Sequence, residues 1–311
     1  MTGAVALAFF DRGGAVFMAQ QDQDLAAAIA EAEARLEAVA ATAGVRQGGF
    51  NCDSGAVVWR VWGAGPALVL LHGGHGSWRH WFHNILALAE HFTLYVPDMA
   101  GQGDSDMPPE PYDADSLALT LYESLHQVIP DDQRFGLVGF SFGSVIGAVL
   151  SARLGDRLDY YIGVGSAGYG LRPTTADALR PARRHFSLAE AFDAHRHNVG
   201  VLMLADPAKN DALATTIQMT NAGRNRIQSR PISLTDAMLR SIPQINAPIG
   251  YIWGASDVTA SGGIDRYVAM IHKHRPEAPV EIIEKAGHWV QFEDPVAFNQ
   301  VLPALIARLR G

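Results

Sequence analysis

One serine in this chain sits where a nucleophile would have to sit. The apolar run Leu137-Val138 closes on Gly139-Phe140-Ser141-Phe142-Gly143, and residues 144–150 follow with small side chains at helical apolar spacing. A strand therefore turns abruptly into a helix with one hydroxyl at the corner. Gly139 and Gly143 leave room for so tight a corner, and the helix N-terminus beside Ser141 favours developing negative charge. A glycine-rich turn without chemistry could carry the same pattern, so what decides is whether a base and an acid accompany it. A hydroxyl becomes a useful nucleophile when an imidazole takes its proton and a carboxylate holds that imidazole. The chain offers Asp257, in Gly254-Ala255-Ser256-Asp257 just past the apolar run Tyr251-Ile252-Trp253, and His288, in Ala286-Gly287-His288-Trp289. Strand C-termini in parallel sheets open into the ligand crevice, so side chains at those places can converge.

Such convergence needs a sheet of buried parallel strands, and the rest of the sequence predicts one. Residues 45–50 and 56–62, separated by Asn51-Cys52-Asp53-Ser54-Gly55, read as a hairpin. Continuous apolar runs at 66–71 and 92–96 read as strands buried on both faces, with further strands at 160–165, 249–253 and 280–283. Helices are expected at 78–90, 114–128 and 295–310. From 168 to 241 the strand pattern stops and Pro-bounded helical pieces at 188–197, 212–222 and 234–241 take over. The expected fold class is α/β, a mostly parallel central sheet with helices on both faces and an inserted helical cap. Its parts are an N-terminal extension with one helix (1–44), a core (45–167 and 242–311) and the cap (168–241).

The alanine-rich stretch 22–42 spaces Leu25, Ile29, Leu36 and Val39 on one helical face. A helix packed on the outside of the domain is the expectation, with a lid or a homodimer contact as the alternatives. Residues 1–21 show no period. The apolar stretch 1–10 lacks a basic flank and is broken by Asp11 and Arg12, so a loose extension is expected there rather than a signal peptide, with Met18 as an alternative start. Cys52 is the only cysteine, which rules out an internal disulfide or a Cys-x-x-Cys pair and fits a reducing, cytoplasmic setting. The net charge of −8 comes without a Lys/Arg cluster, so no nucleic-acid partner is expected, and no run of about 18 apolar residues predicts a membrane span.

Four patterns in order, His72-Gly73-Gly74, Asp98-x-x-Gly101-x-Gly103-x-Ser105, the Ser141 corner and the two segments bearing Asp257 and His288, together resemble the α/β-hydrolase fold superfamily from about residue 45 to 311. The resemblance implies a catalytic trio of Ser141, Asp257 and His288. It also implies an oxyanion hole made by the backbone N–H groups of Phe142 and Gly74, with His75 the neighbouring alternative to Gly74. His72 would anchor its loop, and the Asp98 loop would be a structural turn. Dehalogenase and epoxide hydrolase relatives carry Asp at the corner, so a serine there implies acyl chemistry. His72, His75, His80 and His83 match no metal-ligand spacing, and Gly101-Gln102-Gly103 lacks a dinucleotide-loop setting, so neither metal nor cofactor is expected.

The expected partner is a small-molecule substrate, a small to medium carboxylic ester held in an apolar pocket among His75, Trp78, Phe140 and Trp289, with Phe142 and Trp81 nearby. A carbon–carbon bond hydrolase of vinylogous diketones is the alternative, with Arg224, Arg226 or Arg230 clasping a substrate carboxylate. Such relatives usually carry Asn where this chain has Phe140. A catalytically silent protein that senses a small ligand is a third reading.

Overall fold

The computed structural model describes residues 20–51, 54–172, 178–183, 185–260 and 262–311. Cys52 and the expected N-terminal extension up to residue 19 lie outside the described residues. Eight strands form one sheet: β1 (Gly44–Phe50), β2 (Gly55–Trp62), β3 (Ala67–Leu71), β4 (Thr93–Asp98), β5 (Phe135–Phe140), β6 (Leu158–Val164), β7 (Ile249–Gly254) and β8 (Val280–Ile283). Their order across the sheet is β1-β2-β4-β3-β5-β6-β7-β8. The β1–β2 hairpin is antiparallel and β2 meets β4 antiparallel, whereas every pairing from β4 onward is parallel.

β3, β5 and β7 are buried along their whole length, which is why their sequences are apolar runs without alternation. Their side chains still divide by parity between two faces. Val69, Leu71 and Leu137 pack on one face with α3 (Ala114–Leu125) and α4 (Phe142–Leu154). Leu68, Leu70, Val138 and Phe140 pack on the other with α2 (Phe82–Ala89) and the C-terminal helix Pro295–Arg310. Because β3, β5, β6, β7 and β8 run parallel, the residues that follow each of them emerge at one edge, which is where the sequence puts His72, Ser141, Asp257 and His288.

The first helix, α1 (Gln20–Ala40), buries Ile29, Ala32, Leu36 and Val39. It packs against α2 and against α6 (Ala212–Gly223), so its apolar face is covered within the chain. Among the described residues, the α-helices between β6 and β7 are α5 (Leu188–Leu202), α6, α7 (Ser229–Ser233) and α8 (Ala237–Ser241). α5 opens on a reciprocal cap between Ser187 and Glu190, and α6 on the Asp211 carboxylate, which accepts from Ala214 N–H.

Some boundaries differ from expectation for local reasons. The helix expected at 78–90 begins as a 3-10 turn, Trp78–Trp81, where the Ser77 hydroxyl caps Arg79 N–H. The helix expected at 234–241 starts only at Ala237, as α8, and the separate short helix α7 ends just before the expected span. The Thr235 hydroxyl donates to the Ile232 carbonyl at 2.7 Å and accepts from Ala237 N–H, so it ends one turn and starts the next.

Candidate active site

The corner after β5 places Ser141 at φ 51° and ψ −115°, a region non-glycine residues rarely occupy. Holding a residue there costs on the order of 1–3 kcal/mol and persists only where the surroundings fix it. They do so here: Ser141 N–H donates to the Val164 carbonyl at 2.9 Å, and the Ser144 hydroxyl donates to the Ser141 carbonyl at 2.5 Å. The two glycines are required sterically. A Cβ on Gly139 would lie 2.4 Å from the Gly143 carbonyl oxygen, and one on Gly143 would lie 2.4 Å from that of His72.

From this corner a chain of hydrogen bonds runs inward. Ser141 Oγ lies 2.9 Å from His288 Nε2, and His288 Nδ1 lies 2.9 Å from Asp257 Oδ2. The three residues, separated by up to 147 positions in sequence, therefore meet in one line. Asp257 is buried, and its other oxygen accepts from Thr259 N–H at 2.8 Å and from the Thr259 hydroxyl at 2.7 Å. Burial on its own would raise the Asp257 pKa. The opposing pull of His288, with the hydrogen bonds from His288 and Thr259, outweighs it and holds the carboxyl below its ordinary value. The Thr259 hydroxyl also stands 3.0 Å from His288 Nδ1, so that ring nitrogen has two oxygens to donate to.

The loop after β3 approaches the same corner. A Cβ on Gly74 would lie 3.5 Å from that of Phe142, so the two backbones are close neighbours, and both residues line the cavity beside Ser141. His72 fixes this loop: its Nε2 accepts from Met99 N–H at 2.9 Å, which leaves Nδ1–H to donate to the Gly73 carbonyl at 2.8 Å. His80 Nδ1 accepts from Gly73 N–H at 3.1 Å. Burial is the main cause that lowers the pKa of both imidazoles, well below the ordinary histidine value for His80. A second brace is Asp98, which accepts from Trp78 N–H, Asp104 N–H and the Arg60 guanidinium.

Ser141 opens into a cavity of about 260 Å³. Gly73, Gly74, His75, Phe140, Phe142 and Thr259 line it from the sheet side, and Tyr169, Leu171, Leu179, Leu202, Met203 and Ser229 from the segment between β6 and β7. His75 and Phe140, two of the four residues expected around a pocket, line the cavity. Trp78 and Trp289 do not line it, which corrects their assignment to the pocket. Both are fully buried, where a large ring gains more from packing on every side than from facing a cavity. Trp289 stacks on Phe292 at 4.1 Å and donates from Nε1 to the His80 carbonyl at 2.9 Å, while Trp78 lies beside Trp62 with the Arg60 and Arg79 guanidinium groups over its ring. Trp81, packed between Phe140 and Phe298, is likewise away from the cavity. Arg224 and Arg226 are committed elsewhere as well. Arg224 pairs with Asp104 and Arg226 donates to the Ser105 carbonyl, so Arg230 is the one of the three that reaches the cavity.

The model of the alpha/beta hydrolase family matches residues 68–301, three quarters of the sequence. The chain belongs to the alpha/beta hydrolase family. Similar proteins include an uncharacterized protein of Mycobacterium tuberculosis, 25% identical over 273 residues that cover 78% of this chain and 76% of that one. A 2-hydroxy-6-oxo-6-phenylhexa-2,4-dienoate hydrolase of Burkholderia cepacia is 24% identical over 259 residues, covering 77% of this chain and 87% of that protein. Among solved structures, the esterase RhEst1 from Rhodococcus sp. ECU1013 superposes with a TM-score of 0.70 at 20% identity, over 85% of this chain and 99% of that one, which shows a shared fold.

Sequence reasoning about this alpha/beta hydrolase missed Thr259, although a hydroxyl two residues after a turn-forming Asp is a recognisable Asx-type signal. It also missed the apolar wall of Tyr169, Leu171, Leu179, Leu202 and Met203, which has no motif, because these residues come together only in the folded chain. Among the described residues no three His, Cys, Asp or Glu side chains are grouped to hold a metal ion, and no helix is long and apolar enough to cross a membrane.

Proposed function

We propose that this hydrolase cleaves small to medium carboxylic esters through an acyl-enzyme on Ser141. The observation that carries the proposal is the unbroken line from Ser141 Oγ through His288 to Asp257, ending at a largely apolar cavity. Ser141 Oγ attacks the ester carbonyl carbon while His288 Nε2 accepts the hydroxyl proton. Asp257 holds the other ring nitrogen and stabilises the imidazolium. The carbonyl oxygen becomes an oxyanion that the N–H groups of Phe142 and Gly74 stabilise, each contributing on the order of 3 kcal/mol. His288 then gives its proton to the departing alkoxide, which leaves as the alcohol. A water deprotonated by His288 attacks the acyl-enzyme, the Ser141–acyl bond breaks, and the acid departs with the serine reprotonated. Residues 168–241 serve as a cap that walls the acyl and alcohol groups from solvent. A cavity near the lower end of the usual range of roughly 300–1,000 Å³ for small-molecule sites suits substrates of that size.

Arg230 at the cavity, together with the similarity to the Burkholderia dienoate hydrolase, supports one second reading, carbon–carbon bond hydrolysis of a vinylogous diketone bearing a carboxylate. A panel of p-nitrophenyl esters of increasing acyl length, run against a 2-hydroxy-6-oxo-dienoate, tests both. Ester turnover lost in Ser141→Ala supports the first reading. Faster turnover of the dienoate than of any ester supports the second, and ester turnover retained in Ser141→Ala rejects the serine mechanism.

A further inference from the structure

One buried charge lies close to the site and takes no part in the line described above. Glu293, in the short helix Val290–Glu293, is 3% exposed and is in no ion pair among the described residues. A carboxylate taken out of water without a counter-charge is costly unless its lone pairs are filled by hydrogen bonds. Here backbone amides fill them. Oε2 accepts from Gly287 N–H at 2.6 Å, and Oε1 accepts from Ala205 N–H at 2.8 Å and Asp206 N–H at 2.6 Å. Charge-assisted bonds of this length are among the stronger ones available to a protein.

The placement of those three amides gives the carboxylate its significance. Gly287 immediately precedes His288, and Ala205 and Asp206 form the turn that follows α5. On the far side of His288, Trp289 N–H donates to the Met203 carbonyl at 2.8 Å. The histidine is thus held on both flanks to the same turn, through Glu293 on one side and directly on the other. Leu202 and Met203, which lead into that turn, form part of the cavity wall. There is no slack on the ring side either, since a Cβ on Gly165 would lie 3.1 Å from His288 Nδ1.

We infer that Glu293 is the positioning residue for His288, and that it fixes the imidazole and the Leu202–Met203 wall of the cavity as one rigid piece. This rests on the serine mechanism proposed above. A base displaced by an ångström can cost about 100-fold in rate, so the precision of this tie is felt in turnover rather than in binding. Glu293→Gln is the sharp test, because an amide fills the same space yet presents N–H₂ where one oxygen accepted. Either the Gly287 amide or the Ala205–Asp206 pair then faces a donor.

The experiment compares the wild type, Glu293→Gln and Ser141→Ala by the second-order rate of labelling with a fluorophosphonate probe, by kcat and KM on one p-nitrophenyl ester, and by thermal midpoint. With the wild type labelled and Ser141→Ala inert, Glu293→Gln is expected to label and turn over about 30-fold more slowly with KM changed less than about threefold. Glu293→Gln labelling and turning over at the wild-type rate, whatever its thermal midpoint, overturns the inference while leaving the serine reading intact. A wild type that resists the probe, or a Ser141→Ala protein that labels equally, removes the serine reading and the inference with it. Should Glu293→Gln fail to fold, amide hydrogen exchange on the intact protein decides: the N–H groups of Ala205, Asp206 and Gly287 are expected to open as one unit, with protection factors within about threefold. Gly287 exchanging independently of the other two overturns the inference.

Discussion

The two sides of the cavity are built in different ways. On the sheet side the groups come from loops that follow parallel strands, and the residues of the proposed triad are each fixed by hydrogen bonds: Ser141 through its backbone to Val164, His288 to Asp257, and Asp257 to Thr259. On the other side the wall is made by Leu171, Leu179, Leu202, Met203 and their neighbours, from short helices and connecting stretches whose contribution is shape. The sheet side is specified by direction and charge, and the side chains of the wall by volume, even though the backbone at Met203 is tied to the loop that carries His288. In an alpha/beta hydrolase divided this way, substitutions on the sheet side should change the rate of the chemical step, whereas those in the wall should change which substrate is accepted.

The largest break expected from that division is at the buried acid. Asp257→Asn keeps the shape of the side chain but lets the imidazole settle in the wrong tautomer, and kcat on a p-nitrophenyl ester should fall about 10⁴-fold with KM little changed. A loss of less than about tenfold would mean that Asp257 does not orient His288. Thr259→Val is milder, because Asp257 retains the Thr259 N–H bond. Losing one hydrogen bond to a charged group is worth roughly 1.5–3 kcal/mol, so kcat should drop about 10- to 150-fold. An unchanged kcat in steady-state assays would show that the hydroxyl is an accessory to the fold alone.

The wall responds on a different axis. Leu202→Ala removes bulk from the cavity, and a methylene in such a pocket is worth about 1–3 kcal/mol of discrimination, so the ratio of kcat/KM for a long to a short acyl ester should rise about fivefold. If instead all esters slowed equally, wall and chemistry would not be separable at that position.

The smallest effect is on stability. The pKa values of His72 and His80 are lowered in the folded chain, mainly by burial, so below about pH 6.5 the unfolded chain binds protons that the folded chain does not. Stability should therefore be level from pH 8 to 7 and decline as pH falls below about 6.5. The depressed Asp257 carboxyl works in a lower window: its contribution is present above about pH 4 and is lost as pH falls through its folded value. Urea midpoints that stay constant down to pH 5 would contradict the assignment to the histidines.

The same division explains what could be read without coordinates. Ser141 and Asp257 each follow an apolar run that is a buried strand, His288 follows the short, partly exposed edge strand β8, and the chemistry of a strained corner restricts the neighbours of Ser141 to glycine, so local patterns pointed to all three. The sheet was legible because buried strands are continuous apolar runs. The wall was not, since a leucine at 202 or 179 looks like any core leucine until the chain folds over the edge. The tryptophans misled for the converse reason: aromatic residues near a motif suggest a pocket, yet Trp78 and Trp289 gain more from complete burial with their rings packed on both sides. Arg224 and Arg226 misled too, because a cation on a surface segment finds the nearest carboxylate or carbonyl, here Asp104 and Ser105.

The claim on which all of this turns is that the hydroxyl at the β5 corner forms the covalent intermediate. Rapid quenching of the protein with a slowly hydrolysed p-nitrophenyl ester, followed by intact mass and peptide mapping, tests it directly. The expected result is one acyl group per chain, on the peptide bearing Ser141, formed at the rate of the p-nitrophenol burst. Turnover proceeding with no acylated peptide, or with the acyl group on another residue, would contradict it.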